Sequence, residues 1–362
     1  MSNQTFQRLK NLPIPFQHAQ CVLHKHELLI CGGYKQRACY SYHILKNEYK
    51  FICQYISHIQ LDGHCVVKLV DNKKDKNQVI LLSFGGAPYF KRHTLIMKYV
   101  SVWSKKSNKS NELNNYNKWT RFTDNYGNPI MIDRGYEDYR GARAVIGGVN
   151  NNLLFITCRD KYISVFDLNT FQFIKHDILP IENEIYYYCF VSNAENGQGQ
   201  EMIKTNKQNY QMLLFHKNIG LSIEYDEDKN NFQFHQLPVC DDIALFCEYA
   251  YVCINDIIFI QFEKTKWMTF ENTLPTRLFN CTAILSEEDN HIHIIGGQNN
   301  KFATVSTHIK TKMRVWDSSL LVMIYLFSKK EIKFTIQHWV RILKIKLGWI
   351  DEFDKIITKY IR

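Results

Sequence analysis

Two His-x-His pairs are the residues whose type and spacing come nearest to a metal site. His24/His26 and His291/His293 each lie in an alternating run, where residues two apart project from one face of a strand. Two imidazoles on one face can bind a transition metal, but a stable site needs a third and a fourth ligand. No further Cys, Asp, Glu or His stands at a recognisable spacing from either pair, so we predict partly exposed strand histidines, with no metal site and no cofactor.

The motifs of common catalytic sites are missing from the sequence. It contains no glycine-rich phosphate loop, no Gly-x-Ser-x-Gly elbow and no His-Glu-x-x-His. The adjacent acidic pairs Asp241-Asp242 and Glu287-Glu288 lie in polar turns, where solvation of the carboxylates is the usual case. We therefore expect a protein that is not an enzyme.

A unit of four strands recurs along the chain. Leu-Pro at residues 12–13, 179–180, 237–238 and 274–275 marks boundaries between units, because proline cannot donate to a sheet ladder. Each unit contains a strand, a polar break, a more apolar strand, a third strand and an aromatic strand such as "NTFQFIKHDILP". Four short antiparallel strands make a propeller blade. Six units of about 51 residues are predicted, starting near His18, Gly63, Gly141, Cys189, Glu248 and Asn280.

Paired glycines follow the second strand of three units, and this pattern resembles the kelch-repeat β-propeller family over roughly residues 12–316. In that family Gly-Gly ends the second strand, a Tyr lies on the third strand and a Trp on the fourth. The matching residues are Gly32-Gly33 with Tyr42 and Tyr49, Gly85-Gly86 with Tyr99 and Trp119, and Gly296-Gly297 with His308 and Trp316. The resemblance implies an all-β, kelch-type, six-bladed propeller. We expect glycine there because inner strands converge on the central channel, where a side chain would clash.

Three units depart from the family pattern. Units three and four carry Thr157-Cys158 and Phe215-His216 in place of the glycines, and Gly147-Gly148 lies out of phase between the first two strands. Unit five, "CINDIIFIQFEKTKWMTF", passes from its second strand almost directly to the Trp267 strand. We predict a degenerate fifth blade.

The segment after the last unit differs in character. Ile336, Trp339, Val340, Leu343 and Leu347 recur at helical spacing, and "GWIDEFDKII" is similar to tails of kelch proteins from amoeboid protists. The predicted division is an N-terminal lead-in at 1–15, a propeller at 16–319, and a closing strand and/or basic amphipathic α-helical tail at 320–362. The helices could pack on the propeller, bind a partner or lie on a membrane surface.

Composition limits the class of protein. The 362 residues are 45% hydrophobic and 14% aromatic, which excludes global disorder. The first residues contain no apolar signal region, and the run Leu320 to Phe327 is shorter than the ~20 residues of a membrane helix. The 11 cysteines form no Cys-x-x-Cys, as is typical of reduced core thiols. We predict a cytoplasmic protein with no membrane contact.

The net charge of +10 is concentrated in two segments, Lys91–Arg121 and Lys329–Arg362. Without interleaved aromatic residues these segments do not make a stacking platform, so binding of nucleic acid is not expected. Many kelch proteins also carry a BTB or F-box cullin-adaptor domain. With about 15 residues before the first unit, we expect no cullin-adaptor domain in this chain.

The favoured function is a non-catalytic scaffold that binds a protein or peptide. Loops on rigid strands at one end of a propeller can contact a partner across several blades. By resemblance, the loops after the second strands line this face, and we predict partner-binding residues at Tyr34, Lys35, Arg37, Tyr89, Lys91, Arg92, Arg159, Lys217, Asn299 and Lys301. Their basic and aromatic character suits an acidic partner, although any one of them could be an ordinary solvated loop residue. The alternative is a propeller enzyme with a central-channel site, of epimerase, cyclase or oxidase type, which a cluster of titratable channel residues would indicate.

Overall fold

The computed structural model describes residues 6–69, 78–86, 92–104, 115–135, 137–192, 209–237, 239, 251–254, 257–260, 278–286 and 288–312. The chain separates into two units, residues 1–323 and 324–362, and every described residue lies in the first. Within the described ranges the regular elements are strands, and there is no α-helix. The predicted tail at 320–362, including its helices, lies outside them.

The strands, in chain order, are β1 (Phe6–Arg8), β2 (Cys21–His24), β3 (Glu27–Gly33), β4 (Gln36–His43), β5 (Glu48–Gln54), β6 (Cys65–Leu69), β7 (Gln78–Gly85), β8 (His93–Val100), β9 (Thr120–Arg121), β10 (Arg143–Gly147), β11 (Leu153–Thr157), β12 (Tyr162–Asp167), β13 (Gln172–Ile178), β14 (Cys189–Ser192), β15 (Asn209–His216), β16 (Ile219–Asp226), β17 (Asn231–Gln236), β18 (Tyr251–Ile254), β19 (Ile257–Ile260), β20 (Thr282–Ser286), β21 (His291–Ile295) and β22 (His308–Lys312).

Five four-stranded antiparallel sheets form the blades of a β-propeller. Four are simple meanders of consecutive strands, β2 to β5, β6 to β9, β10 to β13 and β14 to β17. The fifth has the order β1-β22-β21-β20. Each blade is named here after its innermost strand, and the innermost strands contact one another in the pairs β2/β6, β6/β10, β10/β14 and β20/β2. They therefore surround a common axis, as in a propeller.

The predicted all-β propeller is confirmed, with five complete blades in the described residues rather than six. Each predicted unit start lies within three residues of a first strand, β2, β6, β10, β14, β18 or β20. The unit predicted to start near Glu248 is represented by the two-stranded sheet β18-β19, in which β18 contacts β20. Its Trp267 strand lies outside the described residues.

The last blade is closed by the beginning of the chain. β1, within the predicted lead-in at 1–15, pairs antiparallel with β22, and the Leu9 amide continues the ladder by donating to the His308 carbonyl at 2.9 Å. The family pattern placed the fourth strand of this unit at Trp316, whereas in the described residues β1 is the fourth strand of the sheet. Trp316 lies outside the described residues. The two ends of the described propeller are thus joined in one sheet.

The apolar core lies between blades. β3 and β11 are buried along their whole length, whereas the outermost strands β5 and β13 alternate between exposed and half-buried residues. Four apolar clusters fill the spaces between successive blades, at β20/β2, β2/β6, β6/β10 and β10/β14. Second strands are therefore covered on both faces, which explains their uninterrupted apolar runs.

The paired glycines do have the positive φ or close approach that their sequence position predicts. Gly32 has a φ of 69° and Gly297 a φ of 101°. A Cβ on Gly33 would lie 2.6 Å from the Gln17 carbonyl oxygen, and one on Gly297 would lie 2.6 Å from the Phe279 carbonyl oxygen. Gln17 and Phe279 belong to linkers that precede first strands. The crowding thus comes from linkers crossing the strand ends, not from inner strands converging on the channel.

Substitution of Gly297 by alanine should reduce the free energy of unfolding by about 3 kcal/mol, because it combines an unfavourable φ with a backbone collision. Gly127 is the matched control, since its φ is 86° and no atom lies within 4 Å of its Cβ position. Gly127→Ala should cost about 1 kcal/mol from φ alone. Urea unfolding of both variants measures the difference, and equal losses would exclude the linker collision as the reason for glycine.

Candidate functional site

One end of the propeller carries both the linkers between blades and the turns between second and third strands. This follows from the antiparallel meander, in which the fourth strand of a blade ends where the second strand does. We call this end the linker face. In the described part of the chain these second-to-third-strand connections contain Tyr34, Lys35, Arg92, Arg159, Lys217, Asn299 and Lys301, whereas Arg37 lies in β4.

A left-handed residue precedes the first strand of every complete blade. These residues, the pre-strand ring, are His18, Gly63, Gly141, Tyr187 and Asn280, with φ of 51°, 66°, 70°, 52° and 55°. Neighbouring members contact one another: the His18 amide donates to the Asn280 carbonyl at 2.9 Å, and the Gly141 amide to the Gly63 carbonyl at 2.8 Å. For His18 and Tyr187, which lack the freedom of glycine, a positive φ costs roughly 1 kcal/mol or more and is typical of functional positions.

His18 and Tyr187 stack on each other within this ring. Their ring centroids are 4.0 Å apart and the planes differ by 23°. They come from the β2 and β14 blades, which are separated along the chain by the β6 and β10 blades. Tyr34 meets His18 edge-on at 6.5 Å, and a Cβ on Gly63 would lie 3.0 Å from the Tyr187 hydroxyl. The stacked pair therefore joins linkers of two blades that are not neighbours in the ring, and we call it the plug.

Burial determines the protonation of the plug. Burial, then the nearby Arg143 guanidinium and His64, lowers the pKa of His18 to about 3, so the imidazole is neutral at neutral pH. Burial raises the pKa of Asp62, whose carboxylate accepts a long hydrogen bond of 3.5 Å from the Tyr187 hydroxyl. Arg143 lies 5.9 Å from the centre of the Tyr187 ring. The plug thus places a neutral imidazole and a tyrosine ring next to a guanidinium.

Arg92 and Arg159, two of the predicted partner-binding residues, make internal ion pairs. Arg92 pairs with Asp133 and donates to the carbonyl oxygens of Gly135 and Glu137 at 2.6 and 2.7 Å. Arg159 pairs with Asp138 at 3.0 Å and with Glu184 at 2.8 Å. Both side chains fix linkers of the linker face. Their guanidinium groups are therefore largely satisfied before any partner binds.

The other predicted residues lie in different surroundings. Lys35 is exposed, its ammonium 4.9 Å from the centre of the half-buried Tyr34 ring, and Arg37 is half-buried. The Asn299 side chain accepts from the amides of Lys301 and Ala303 at 3.0 and 3.1 Å and so shapes its own turn. Lys301 is exposed and Lys217 half-buried. Tyr89 and Lys91 lie outside the described residues.

A lysine with positive φ recurs in the second-to-third-strand turns of three blades. Lys35, Lys161 and Lys217 have φ of 56°, 67° and 52°. Sequence reasoning missed Lys161, His18 and Tyr187. The lysines could have been found from the turn sequences "GYKQ", "RDKY" and "HKNI", because each places a Lys at or next to the point where the chain reverses direction. No local signal marks the stacked plug, which depends on ring closure.

The His-x-His pairs do not assemble a metal centre in the described part of the chain, where no group of three His, Cys, Asp or Glu side chains could hold a metal. His26 pairs with the Glu288 carboxylate. His291 lies 3.3 Å from the Asp289 carboxylate, and the buried His293 bonds to His308 at 2.9 Å. The histidines of both pairs therefore make contacts that join neighbouring turns and strands.

Comparison with known proteins yields similarity of fold only. No family model matches the sequence, and no curated protein matches it. The solved structure of YjhT is similar with a TM-score of 0.53 at 12% identity, covering 85% of this chain and 98% of that one. A structural genomics protein of unknown function from Bacteroides thetaiotaomicron gives a TM-score of 0.44 at 10% identity, covering 84% of this chain and 73% of that one. Among the described residues, no helix has the length and apolar character needed to cross a bilayer.

Proposed function

We propose that this protein is a non-catalytic scaffold that binds an acidic protein or peptide on its linker face. In this proposal the ring is a six-bladed kelch-type propeller, with β18-β19 in the position of the fifth blade. The observation that carries the proposal is the plug, stacked at 4.0 Å, because it joins linkers of two blades that are not neighbours and so makes the linker face one continuous surface. A surface that spans several blades suits contacts with a larger partner.

The charges around the plug suit an acidic partner. Lys35 is exposed and Lys217 half-buried in turns of the linker face, whereas the Lys161 ammonium donates to the Glu182 carbonyl at 3.1 Å. Tyr34 adds an amphipathic aromatic ring beside Lys35. Charges arranged in this way accelerate association with a partner of opposite sign more than they increase affinity.

Kelch membership is supported by where the family's aromatic residues lie. Tyr42 on β4 and Tyr49 on β5 have ring centroids 4.8 Å apart, and Trp119, just before β9, stacks on Tyr55 at 4.6 Å. These contacts join adjacent strands and adjacent blades. In the family pattern, the Tyr of the third strand and the Trp of the fourth strand would have this packing role.

Charge reversal tests the scaffold. The triple variant Lys35→Glu, Lys217→Glu, Lys301→Glu should lose at least tenfold in capture of partners from a lysate, measured by quantitative affinity purification with the full chain. The matched control is Lys25→Glu, Lys98→Glu, Lys312→Glu, which makes the same charge change at exposed lysines outside the linker face. If the two triple variants lose the same partners equally, the linker face is not the binding surface.

A central-channel enzyme is the second candidate, favoured by the contacts of His18 and Asp62 with Tyr187, which bring titratable groups of different blades together. His18→Ala removes one half of the stack without adding charge. An enzyme would then lose turnover, whereas a scaffold that uses the surrounding lysines would retain capture of its partners.

A further inference from the structure

Phe302 is a large apolar residue that the fold leaves exposed on the linker face. It lies in the connection between β21 and β22, the second and third strands of the β20 blade, and it is 74% exposed. Its ring lies nearly parallel to the ring of the half-buried Phe279, with centroids 6.2 Å apart and planes that differ by 19°. Phe302 therefore presents an apolar ring on the same surface as the proposed partner-binding lysines.

The backbone at Phe302 is not one that favours an aromatic residue. Its φ is 56°, a left-handed conformation that Gly and Asn adopt at lower cost. Phe171 has the same conformation, with a φ of 58°, but its ring is half-buried and meets Phe122 edge-on at 5.5 Å. Packing therefore accounts for an aromatic residue at Phe171. At Phe302 neither the backbone nor burial accounts for one, and residues held in such a conformation are typical of functional sites.

Hydrogen bonds hold the turn that carries Phe302. The Phe302 amide donates to the Asn299 carbonyl at 2.8 Å, and the Asn299 amide donates to the Ala303 carbonyl at 3.0 Å. Gln298 Nε2 donates to the Phe302 carbonyl at 3.0 Å. The turn is also tied to the linker before β20, because Phe279 and Gln298 exchange two backbone hydrogen bonds, at 2.9 and 2.7 Å. A turn fixed in this way needs no reordering of its backbone when a partner binds.

A second turn of the linker face lies next to this one, across the linker that precedes β2. The Gln17 side-chain oxygen accepts from the Thr304 hydroxyl at 3.2 Å, and the Gln17 carbonyl accepts from the Tyr34 amide at 2.9 Å. Lys301 and Lys35 are exposed residues of the two turns, and each is the sequence neighbour of an aromatic residue. The ion pairs of the described residues include neither lysine. An aromatic ring and a lysine without an ion pair therefore lie on each side of Gln17.

We propose that Phe302 is the apolar anchor of the linker face, and that the partner is an acidic peptide segment with an apolar side chain between its acidic residues. This inference rests on the proposed scaffold function and specifies the chemistry of the partner. The apolar side chain of the partner packs against the Phe302 ring, and its carboxylates pair with Lys301 and Lys35. Aromatic residues that a partner covers contribute most to binding energy, whereas the surrounding charges select the sign of the partner.

Binding of defined peptides to the full chain, measured by fluorescence anisotropy, tests this assignment. The first probe is a fluorescein-labelled peptide with a central Phe and an Asp-Glu pair on each side. The second probe has Ser in place of the Phe, and the third keeps the Phe but has Lys in place of every acidic residue. The first should bind about tenfold more tightly than the second, and the third should show no measurable binding. No binding of the first, equal binding of the first two, or equal binding of the first and third would overturn the proposal.

Phe302→Asn separates binding from folding. Asn fits a positive φ, as Asn47 does at 51° in the turn between β4 and β5, so the urea midpoint of the variant should equal or exceed that of the wild type. Its preference for the Phe peptide over the Ser peptide should fall to about twofold or less. Tyr126→Asn, the control, changes a 92% exposed aromatic residue in the turn after β9 and should leave the preference unchanged. A lower midpoint for Phe302→Asn would show that the ring serves the fold through Phe279, and would overturn the proposal.

A double variant distinguishes failure of the anchor from failure of the scaffold. Lys35→Glu, Lys301→Glu should weaken both acidic peptides at least about tenfold. If it does so while the wild type binds the Phe and Ser peptides equally, the linker face binds acidic partners and the anchor alone is wrong. If the double variant and Phe302→Asn both bind the peptides as the wild type does, the peptides bind elsewhere, and both proposals are contradicted.

Discussion

Between pH 7.5 and pH 5 the free energy of unfolding is expected to fall by at least about 5 kcal/mol, enough to unfold a protein of ordinary stability. The cause is a set of histidines that the fold keeps neutral. Burial is the first cause of a lowered pKa at His18, His64, His93, His216, His293 and His308. Protonating them in the folded state would place uncompensated positive charge between blades.

The sign follows from the two pKa values of each group. An unfolded histidine gains its proton near pH 6.5, while His64 and His293 have a pKa of about 4 and His93 a pKa of about 3 when folded. Between these values the unfolded chain binds more protons, so stability decreases as the pH falls from about 6.5 towards 4. Each of these three groups contributes on the order of 2 kcal/mol at pH 5. Asp62 and Glu137, whose pKa values burial raises, act in the opposite direction.

The seam between the last blade and the first is the weakest place under acid. Tyr49 lies 2.5 Å from His308 Nδ1, and His308 Nε2 lies 2.9 Å from His293 Nδ1, so one proton is shared at each contact. A second proton on either ring would place a positive charge in this buried contact, where burial is the first cause of the lowered pKa values of His293 and His308. Lys310, 3.5 Å from Asp289, adds positive charge, and the Asp289 carboxylate, 3.8 Å from His293, offsets it only in part. Acid should therefore weaken the contact between the last blade and the first, where these histidines lie.

His216→Phe tests whether protonation of buried histidines causes the loss of stability in acid. Neither ring nitrogen of His216 has a partner in the described part of the chain, although the side chain is 2% exposed and meets Tyr186 edge-on at 6.4 Å. Phenylalanine keeps the aromatic contact and removes a titrating group. The variant should equal or exceed the wild type in stability at pH 7.5, and its advantage should grow by about 1–2 kcal/mol at pH 5.

Urea unfolding at pH 7.5, 6 and 5 and constant ionic strength measures both effects. Leu214→Met is the control, since Leu214 is fully buried on the same strand and neither residue titrates. Its curve should shift by the same amount at every pH. If wild type and His216→Phe show parallel pH dependence, this histidine does not contribute to acid lability.

Local patterns were sufficient to predict the blades. The aromatic strands β5, β13 and β17 and the starts of all first strands follow from period-two alternation and Leu-Pro boundaries, which need only neighbouring residues. β1 could not be found in this way. It is three residues long, two of them exposed, and its partner β22 lies about 300 residues away, so its existence depends on the ring having closed.

The candidate site was harder to predict from the sequence, because its contacts also join residues that lie far apart along the chain. Loop position alone suggested Arg92 and Arg159 as available charges, but Asp133 and Glu184 neutralise them from linkers that only the folded blades bring near. His18 and Tyr187 are 169 residues apart and meet because their blades surround one axis. Basic and aromatic loop residues predict a positively charged surface that could bind a partner. Contacts between loops then decide which of those side chains remain available to a partner.

Phe155→Ala should lower the free energy of unfolding by about 4 kcal/mol, within the range for complete removal of a buried aromatic side chain. Phe155 lies on β11, fully buried in the cluster between the β10 and β14 blades. Its ring stacks on Tyr210 at 5.1 Å and meets Tyr225 edge-on at 5.1 Å and Phe232 at 6.4 Å. Alanine would leave three aromatic rings of the next blade around a cavity.

We expect the residues around Phe155 to move little into the cavity, because their side chains are held in place. The Tyr210 hydroxyl donates to the Ile146 carbonyl at 2.6 Å, which holds its ring in place over β10 while Phe155 supports the other side. A cavity that cannot collapse costs more than the lost transfer free energy of the side chain. Phe51→Ala is the control, since Phe51 is 51% exposed and should cost less than about 1 kcal/mol. Urea unfolding with near-ultraviolet circular dichroism measures both, and similar losses would show that blades are held together by their own sheets rather than by the apolar layers between them.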